Sequence, residues 1–167
     1  MPEGDTIWWA ARNLDAALAG RVLTSTDFRV PALATVDLTG QSVLAVAPRG
    51  KHLLMRSDGG LTVHSHLRME GSWHLSRPDE RWRGGPEREV RAVLRFADRV
   101  AVGYRLLLDV MPTDAENSVV GHLGPDLLGP DWDLELAVAN LLARPQREIA
   151  DALLDQRNLA GIGNIYK

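Results

Sequence analysis

Between about residues 22 and 110 the chain consists of short Val- and Leu-rich segments separated by turn signals, and this pattern constrains the fold most. The segments are RVLTSTDFRV, QSVLAVAPRG, KHLLMRS, LTVHSHL, GSWHL, VRAVLRFA and VAVGYRLLLDV. The connections between them, such as SDGG and SRPDERWRGGPE, are rich in the Gly, Pro, Asp and Ser of turns. Many short strands with few helices favour an antiparallel sandwich or a barrel-like pair of sheets.

Helical patterns lie on both sides of this β-rich body. Residues 3–19 place apolar side chains near a 3.6-residue spacing, and Gly20 stands where a C-terminal cap belongs. Near residue 112 the pattern changes again, and MPTDAENSV reads as a loop. Two helices are predicted after it, the first capped by Asp133 and the second opened by Pro145.

These patterns divide the chain into three parts. An N-terminal helix with the β-body occupies residues 1–112, a turn-rich connector residues 113–132, and a helical piece residues 133–167. The final residues GIGNIYK contain a glycine turn, an N-cap candidate and the start of a helix. A single helical turn is too short to stand alone, so we expect the intact protein to continue beyond Lys167.

Composition narrows the function classes. The 167 residues carry a net charge of −3 and no cysteine, which excludes disulfides and thiolate zinc sites within them. No stretch resembles a signal peptide or membrane span, which makes a cytoplasmic protein the expectation. The acidic balance argues mildly against nucleic acid, yet 17 of the 19 basic residues are Arg, the better phosphate clamp. Lys occurs only at 51 and 167.

Five motifs occur together in one order along the chain. They are MPEGDT, RGKHLL, HSHLRMEGSW, HLGPDLL and LLDQRNLAGIGNIY. This ordered set resembles the formamidopyrimidine-DNA glycosylase and endonuclease VIII family of bifunctional DNA repair enzymes, from end to end of the chain. The resemblance implies an N-terminal helix on a two-layered antiparallel β-sandwich, followed by a partial helix–two-turn–helix module. It also implies damaged double- or single-stranded DNA as the partner of a monomeric, nucleoid-associated bacterial protein.

The resemblance assigns catalysis to three residues. Pro2, once Met1 is removed, would attack the deoxyribose C1′ as a neutral amine, expel the base and form a Schiff base. A free α-amino group has a pKa of about 7.7–8.0, and a helix N-terminus disfavours its protonated form. Glu3 would act as general acid, and Lys51 would contact the lesion and assist elimination. The structural alternatives are an ordinary first helical turn for Pro2 and Glu3, and a solvated turn lysine for Lys51.

The resemblance also assigns DNA contacts. Base excision from a duplex flips the nucleotide out, and a side chain must fill the hole. Met69 is the predicted wedge, with a buried gap filler as the alternative, and Arg68 a DNA contact. The remaining predicted contacts, to phosphates, are His122, Gly161, Gly163 and Asn164. His64 and His66 are interpreted as sheet-surface or core histidines rather than metal ligands.

Two departures from the family pattern matter. An Arg-Arg-Phe loop typical of the formamidopyrimidine branch is replaced by YRLLLDVMPTD, which favours the endonuclease VIII branch and oxidised pyrimidines as substrates. The zinc finger that family members carry after the helical module is absent from these residues. We therefore expect no cofactor in residues 1–167, zinc in the rest of the parent, and weak DNA binding and activity here.

Two other functions fit parts of the pattern. The chain could be a non-catalytic module that binds DNA or a repair partner. Tautomerases also use an N-terminal proline, but they are small βαβ oligomers, which the strand-rich middle does not match. Replacement of Pro2 separates catalysis from binding, since only catalysis should be lost.

Overall fold

A computed structural model describes residues 1–167. Four helices and eight strands follow one another along the chain: α1 Gly4–Leu18, β1 Ser25–Phe28, β2 Val43–Arg49, β3 His52–Ser57, β4 Leu61–His66, β5 Ser72–Ser76, β6 Val90–Arg95, β7 Val100–Tyr104, β8 Leu107–Pro112, α2 Asn117–Val120, α3 Leu134–Leu142 and α4 Ile149–Leu154. None of the helices combines the length and apolar character needed to cross a bilayer.

The strands form two antiparallel sheets of four strands each. The first sheet has the order β1-β6-β7-β5 and the second the order β2-β3-β4-β8. Their facing side chains make one apolar core, which includes Leu53, Met55 and Val63 from the second sheet and Leu94 and Ala101 from the first. The predicted helix on a two-layered β-sandwich is confirmed.

Helix α1 covers one side of this core. Its buried residues Ile7, Ala11, Leu14 and Leu18 recur at helical spacing and pack into the apolar cluster. The Asp15 carboxylate accepts a hydrogen bond from the Val46 amide at 2.8 Å, which fixes the helix along β2. The helix ends before Gly20, whose φ of +80° turns the chain away as a glycine readily does.

The other face of the second sheet carries the connector. Side chains alternate along β3, so Leu53 and Met55 enter the core while Leu54 meets Val120, Leu123 and Ala160 on the opposite face. Glu116 clamps the connector there, because Arg56 donates two hydrogen bonds of 2.8 Å to its carboxylate. This face therefore brings residues near 120 and 160 against the start of β3.

Two sequence predictions about the chain after residue 100 are wrong. VAVGYRLLLDV is two strands in different sheets, because Arg105 has a φ of +52° and breaks the extended run. MPTDAENSV is not a loop: β8 continues through Pro112, and α2 begins at Asn117. The Glu116 clamp favours this order over the loop that its polar residues suggest.

Of the two sequence predictions about the C-terminal helices, one is confirmed and one is wrong. Asp133 caps α3 as predicted, accepting a hydrogen bond from the Leu136 amide at 2.9 Å. Pro145 does not open α4, which begins at Ile149 and has six residues. Instead, the Arg147 amide bonds the Arg144 carbonyl at 3.0 Å, so Pro145 occupies the turn position that its fixed φ suits.

Candidate active site

The buried carboxylate of Glu3 joins the two ends of the chain. Glu3 precedes the first residue of α1 and is 1% exposed. Its oxygens accept hydrogen bonds from the amides of Gly163 at 2.8 Å and Ile165 at 2.5 Å. Two donors fixed in the backbone orient the carboxyl group, so Glu3 is not an ordinary exposed residue of a first helical turn.

Gly163 separates Glu3 from Lys51. A methyl group built on its Cα would lie 2.7 Å from the Glu3 carboxyl carbon and 2.9 Å from Lys51 Nζ. The carboxylate and the ammonium therefore approach the same backbone atoms from two sides. Desolvation lowers the pKa of Lys51 below its ordinary value, and the Glu3 charge opposes this effect. Such a lysine loses its proton more readily than a solvated one.

Close backbone contact holds this arrangement. The Gly4 amide donates to the Gly161 carbonyl at 2.9 Å, and a Cβ on Gly4 would lie 2.9 Å from Gly161 Cα. Gly161 has a φ of +108°, a region that L side chains rarely adopt. Glycine at both positions is therefore what allows the start of α1 to touch the turn at residues 161–163.

Asp126 lies within the HLGPDLL motif, but its role in the site was not predicted from the sequence. Its side chain is 5% exposed and accepts hydrogen bonds from the amides of Gly50 at 2.6 Å and Leu128 at 3.1 Å. Gly50 has a φ of +58° and directly precedes Lys51, so Asp126 fixes the turn that carries the lysine. Arg49 ties the same region by donating to the carbonyl of Gly124 at 3.0 Å. The Pro-Asp pair in this motif is the sequence signal that could have indicated the role of Asp126.

Pro2 lies next to this cluster. It is half-buried and directly precedes Glu3, and Met1 is exposed before it. With Met1 attached, the Pro2 nitrogen is an amide without a usable lone pair. The predicted nucleophile, general acid and lysine thus belong to one place in the fold, and removal of Met1 is what would free the amine.

Histidines form a second cluster beside the lysine. His52 stacks on His64 with ring centroids 5.1 Å apart, and the two share a hydrogen bond of 2.8 Å between Nδ1 of His52 and Nε2 of His64. His66 meets His52 edge-on, also at 5.1 Å. Burial lowers the pKa of His52 to about 4, helped by neighbouring positive charge that includes the exposed His122. The rings are therefore neutral near pH 7.

The predicted wedge lies at the tip of a loop. Met69 is 61% exposed, which excludes the buried gap filler, and Arg68 beside it is exposed with a φ of +52°. Arg105 supports the loop by donating from Nε to the Glu70 carbonyl at 3.0 Å. An exposed thioether on a fixed loop is suited to enter a gap between bases.

Asn164, the N-cap candidate in GIGNIYK, does not cap a helix. Its side chain is exposed, and the amides around it are bonded by Glu3 rather than by the Asn164 carboxamide. Residues 164–166 form a turn closed by a hydrogen bond of 3.1 Å from the Lys167 amide to the Gly163 carbonyl. Tyr166 donates to the Asp5 carboxylate at 2.7 Å, a further tie between this turn and α1.

The class to which this protein belongs follows from its fold and its site. A helix at the amino terminus delivers a Pro-Glu pair to a lysine on a two-sheet sandwich, and a glycine turn closes the site. Residues 1–106 match the formamidopyrimidine-DNA glycosylase N-terminal domain. The chain belongs to this family.

Curated relatives agree with the endonuclease VIII branch. The chain is 67% identical over 168 residues to a probable endonuclease 8 2 of Streptomyces coelicolor, covering all of this chain and 61% of the relative. It is 49% identical to a DNA-(apurinic or apyrimidinic site) lyase of Mycolicibacterium smegmatis, with 99% and 64% covered. It is also 36% identical to endonuclease 8 of Klebsiella pneumoniae, with 100% and 65% covered. The chain thus spans less than two thirds of these relatives' length.

Solved structures share the fold. A formamidopyrimidine-DNA glycosylase of Lactococcus lactis, bound non-covalently to DNA containing an abasic site, superposes with a TM-score of 0.81 at 26% identity. The match covers 98% of this chain and 66% of the other. A complex of the same bacterium's enzyme with DNA containing N7-benzyl-Fapy-dG gives 0.82, with 99% and 64% covered.

The zinc that the resemblance places in a finger finds no donor set in residues 1–167. These residues contain no cysteine. No three His, Cys, Asp or Glu side chains are grouped so as to hold a metal ion.

Proposed function

We propose that this chain is the catalytic part of a base excision repair DNA glycosylase with AP lyase activity, acting on oxidised bases, chiefly pyrimidines, in bacterial cytoplasm. One observation carries the proposal. Glu3 and Lys51 are distant in the sequence from each other and from Gly163, yet both side chains lie within contact distance of the Gly163 backbone. Pro2 directly precedes the buried carboxylate in this cluster.

The chemistry assigns one step to each group. Freed of Met1, the Pro2 amine attacks C1′ of the sugar, and the bond from C1′ to the base breaks. The Glu3 carboxylate, which two backbone donors hold in place, takes the proton that the attacking nitrogen loses and passes it to the ring oxygen of the opening sugar. The resulting iminium acidifies the neighbouring sugar proton, and β,δ-elimination follows. Lys51, whose pKa burial lowers, is suited to assist this proton transfer.

DNA binding rests on surrounding groups. Met69 and Arg68 stand exposed on one loop, where they would enter and flank the space left by a flipped base. The exposed Asn164 and His122 would contact phosphates beside the lesion. Gly161 and Gly163 are buried and their amides already donate to Gln156 and Glu3, so these glycines would shape the turn that presents Asn164. We propose that the protein binds DNA as a monomer. We also propose that binding by residues 1–167 alone is weak, because the relatives extend well beyond the matched region.

Borohydride trapping on a duplex oligonucleotide with one abasic site tests the proposal. Reduction should fix a covalent adduct when the chain starts at Pro2 and none when Met1 or an N-terminal tag remains. A C-terminally tagged chain is the matched control and should trap normally. Peptide mass spectrometry should place the adduct on Pro2, and an adduct on a lysine would refute this nucleophile.

The yield also tests the expected weakness. We expect less adduct per unit time than from the full-length Streptomyces coelicolor relative under the same conditions. Equal yields would contradict the expected deficit. DNA binding without any adduct from the chain that starts at Pro2 would favour a non-catalytic binding module.

A further inference from the structure

The loop Leu67–Gly71 contains a backbone conformation that its sequence does not favour. Arg68 has a φ of +52°, in the left-handed region where non-glycine residues are strained. Such residues persist only when surrounding contacts enforce them. The Arg68 side chain is exposed, and the hydrogen bond that restrains this residue is made by its backbone amide.

The His66 ring supplies that restraint. Its Nδ1 accepts a hydrogen bond of 2.9 Å from the Arg68 amide. The bond runs from a side chain to the amide two residues later, as in an Asx-turn, with an imidazole in place of a carboxamide. The Gly71 amide then bonds the Leu67 carbonyl at 2.7 Å and closes the loop behind it.

The bond fixes the tautomer of His66. Because Nδ1 accepts, the proton of the neutral ring must be on Nε2. A protonated ring would present an N–H at Nδ1 to the Arg68 N–H and break the contact. Burial lowers the pKa of His66, and the neighbouring charges of His64, Lys51 and Arg68 act in the same direction. The edge of His52, 5.1 Å away, packs against the ring.

We propose that His66 is a positioning residue: its Nδ1 holds Arg68 in the left-handed conformation and thereby holds Met69 at the tip of a preformed loop. The DNA part of this inference rests on the proposed function, whereas the loop part does not. His66 acts here through its neighbour's backbone and not through contact with a substrate.

Two amide substitutions separate the two ring nitrogens. In His66→Asn the carboxamide oxygen can occupy the place of Nδ1 and accept from residue 68. In His66→Gln the longer side chain places its amide near the Nε2 position instead. The inference predicts that Asn preserves the loop and that Gln, like Ala, does not.

Amide hydrogen exchange by NMR measures the loop directly. The Arg68 amide should be protected in the unsubstituted protein and in His66→Asn. It should exchange about fivefold faster or more in His66→Gln and His66→Ala, as expected for the loss of one net hydrogen bond. Unchanged protection in His66→Ala, or protection in Gln but not in Asn, would overturn the inference.

A second variant covers the case in which His66→Ala folds poorly. Glycine adopts a positive φ without strain, so Arg68→Gly removes the need for the restraint. We expect His66→Ala to shift the unfolding equilibrium at least about threefold less in the Arg68→Gly background than in the original one. An equal shift in both backgrounds would show that His66 does not act on residue 68.

Trapping on two DNA substrates gives the functional readout. A wedge matters where a duplex must be held open, so single-stranded abasic DNA is the internal control. We expect His66→Gln to trap duplex about tenfold more slowly with single-strand trapping unchanged, and His66→Asn to keep the original ratio. Rescue by Gln but not Asn would instead make Nε2 the functional atom. If neither the unsubstituted protein nor any His66 variant traps DNA, the proposed function is wrong, whereas the exchange measurement still tests the loop part of the inference.

Discussion

Gly163→Ala is the sharpest perturbation of the candidate site. The new methyl would lie 2.7 Å from the Glu3 carboxyl carbon and 2.9 Å from Lys51 Nζ, closer than real Cβ contacts allow. Gly163 is not among the residues with positive φ, so Ala adds no backbone strain. Because Glu3 is held by bonds of 2.5 and 2.8 Å, it cannot move aside without weakening one of them.

The magnitude follows from that displacement. Losing one hydrogen bond to a charged group costs about 1.5–3 kcal/mol of folding free energy. A misplacement of about 1 Å at a reacting group costs on the order of 10²-fold in rate. We therefore expect Gly163→Ala to fold, with a lower denaturation midpoint, and to trap abasic DNA on the order of 100-fold more slowly.

Gly59→Ala is the matched control. Its methyl would also clash with a side chain, that of Gln41, at a turn outside the Glu3 and Lys51 cluster. We expect a similar loss of stability with trapping kept within about threefold, since the reacting groups do not move. Circular dichroism melts and single-turnover trapping measure both. A trapping rate in Gly163→Ala equal to that of Gly59→Ala would refute the reasoning.

Two further predictions concern stability. Asp126→Ala should lower the free energy of unfolding by at least about 2 kcal/mol in urea titrations, because two amides lose a buried acceptor. Asp131 and Asp126 both pair with Arg49, but the Asp131 side chain is 46% exposed, so Asp131→Ala should cost less than about 1 kcal/mol. Equal losses from the two substitutions would contradict this reasoning. Burial lowers the folded-state pKa of His52 from 6.5 to about 4, so the unfolded chain binds its proton first and stability should fall as pH drops from about 6.5 to 4. The full shift corresponds to about 3 kcal/mol, which solvent screening reduces to about 1–2. In His52→Gln the urea midpoint should change less between pH 6.5 and pH 4. An unchanged pH dependence would show that the His52 imidazole is not its cause.

Local patterns predicted the elements that depend on nearby residues. The apolar spacing of α1 and the Asp133 cap of α3 are set within a few positions, and both are present. The split of VAVGYRLLLDV was missed because the break lies at Arg105, a residue type that rarely adopts positive φ. Pro145 was misread because proline suits a turn as well as a first helical position.

The residues of the candidate site also divide into those that the sequence predicted and those that it did not. The ordered motifs indicated Pro2, Glu3 and Lys51, since their chemistry can be read from residue type and family pattern. They did not indicate the role of Asp126 or the hydrogen bond that the Arg68 amide donates to His66. A carboxylate's partner, like the choice between two ring nitrogens, depends on which backbone amides the fold brings near.

The sequence by itself determined the alternation of strands, the helix at the amino terminus and the membership of the repair family, because each is written in neighbouring residues or ordered motifs. Only the tertiary structure decided that residues 3, 51 and 163 meet at one point. Their separation of up to 160 positions is closed by the packing of the connector on the second sheet. No local propensity encodes that contact.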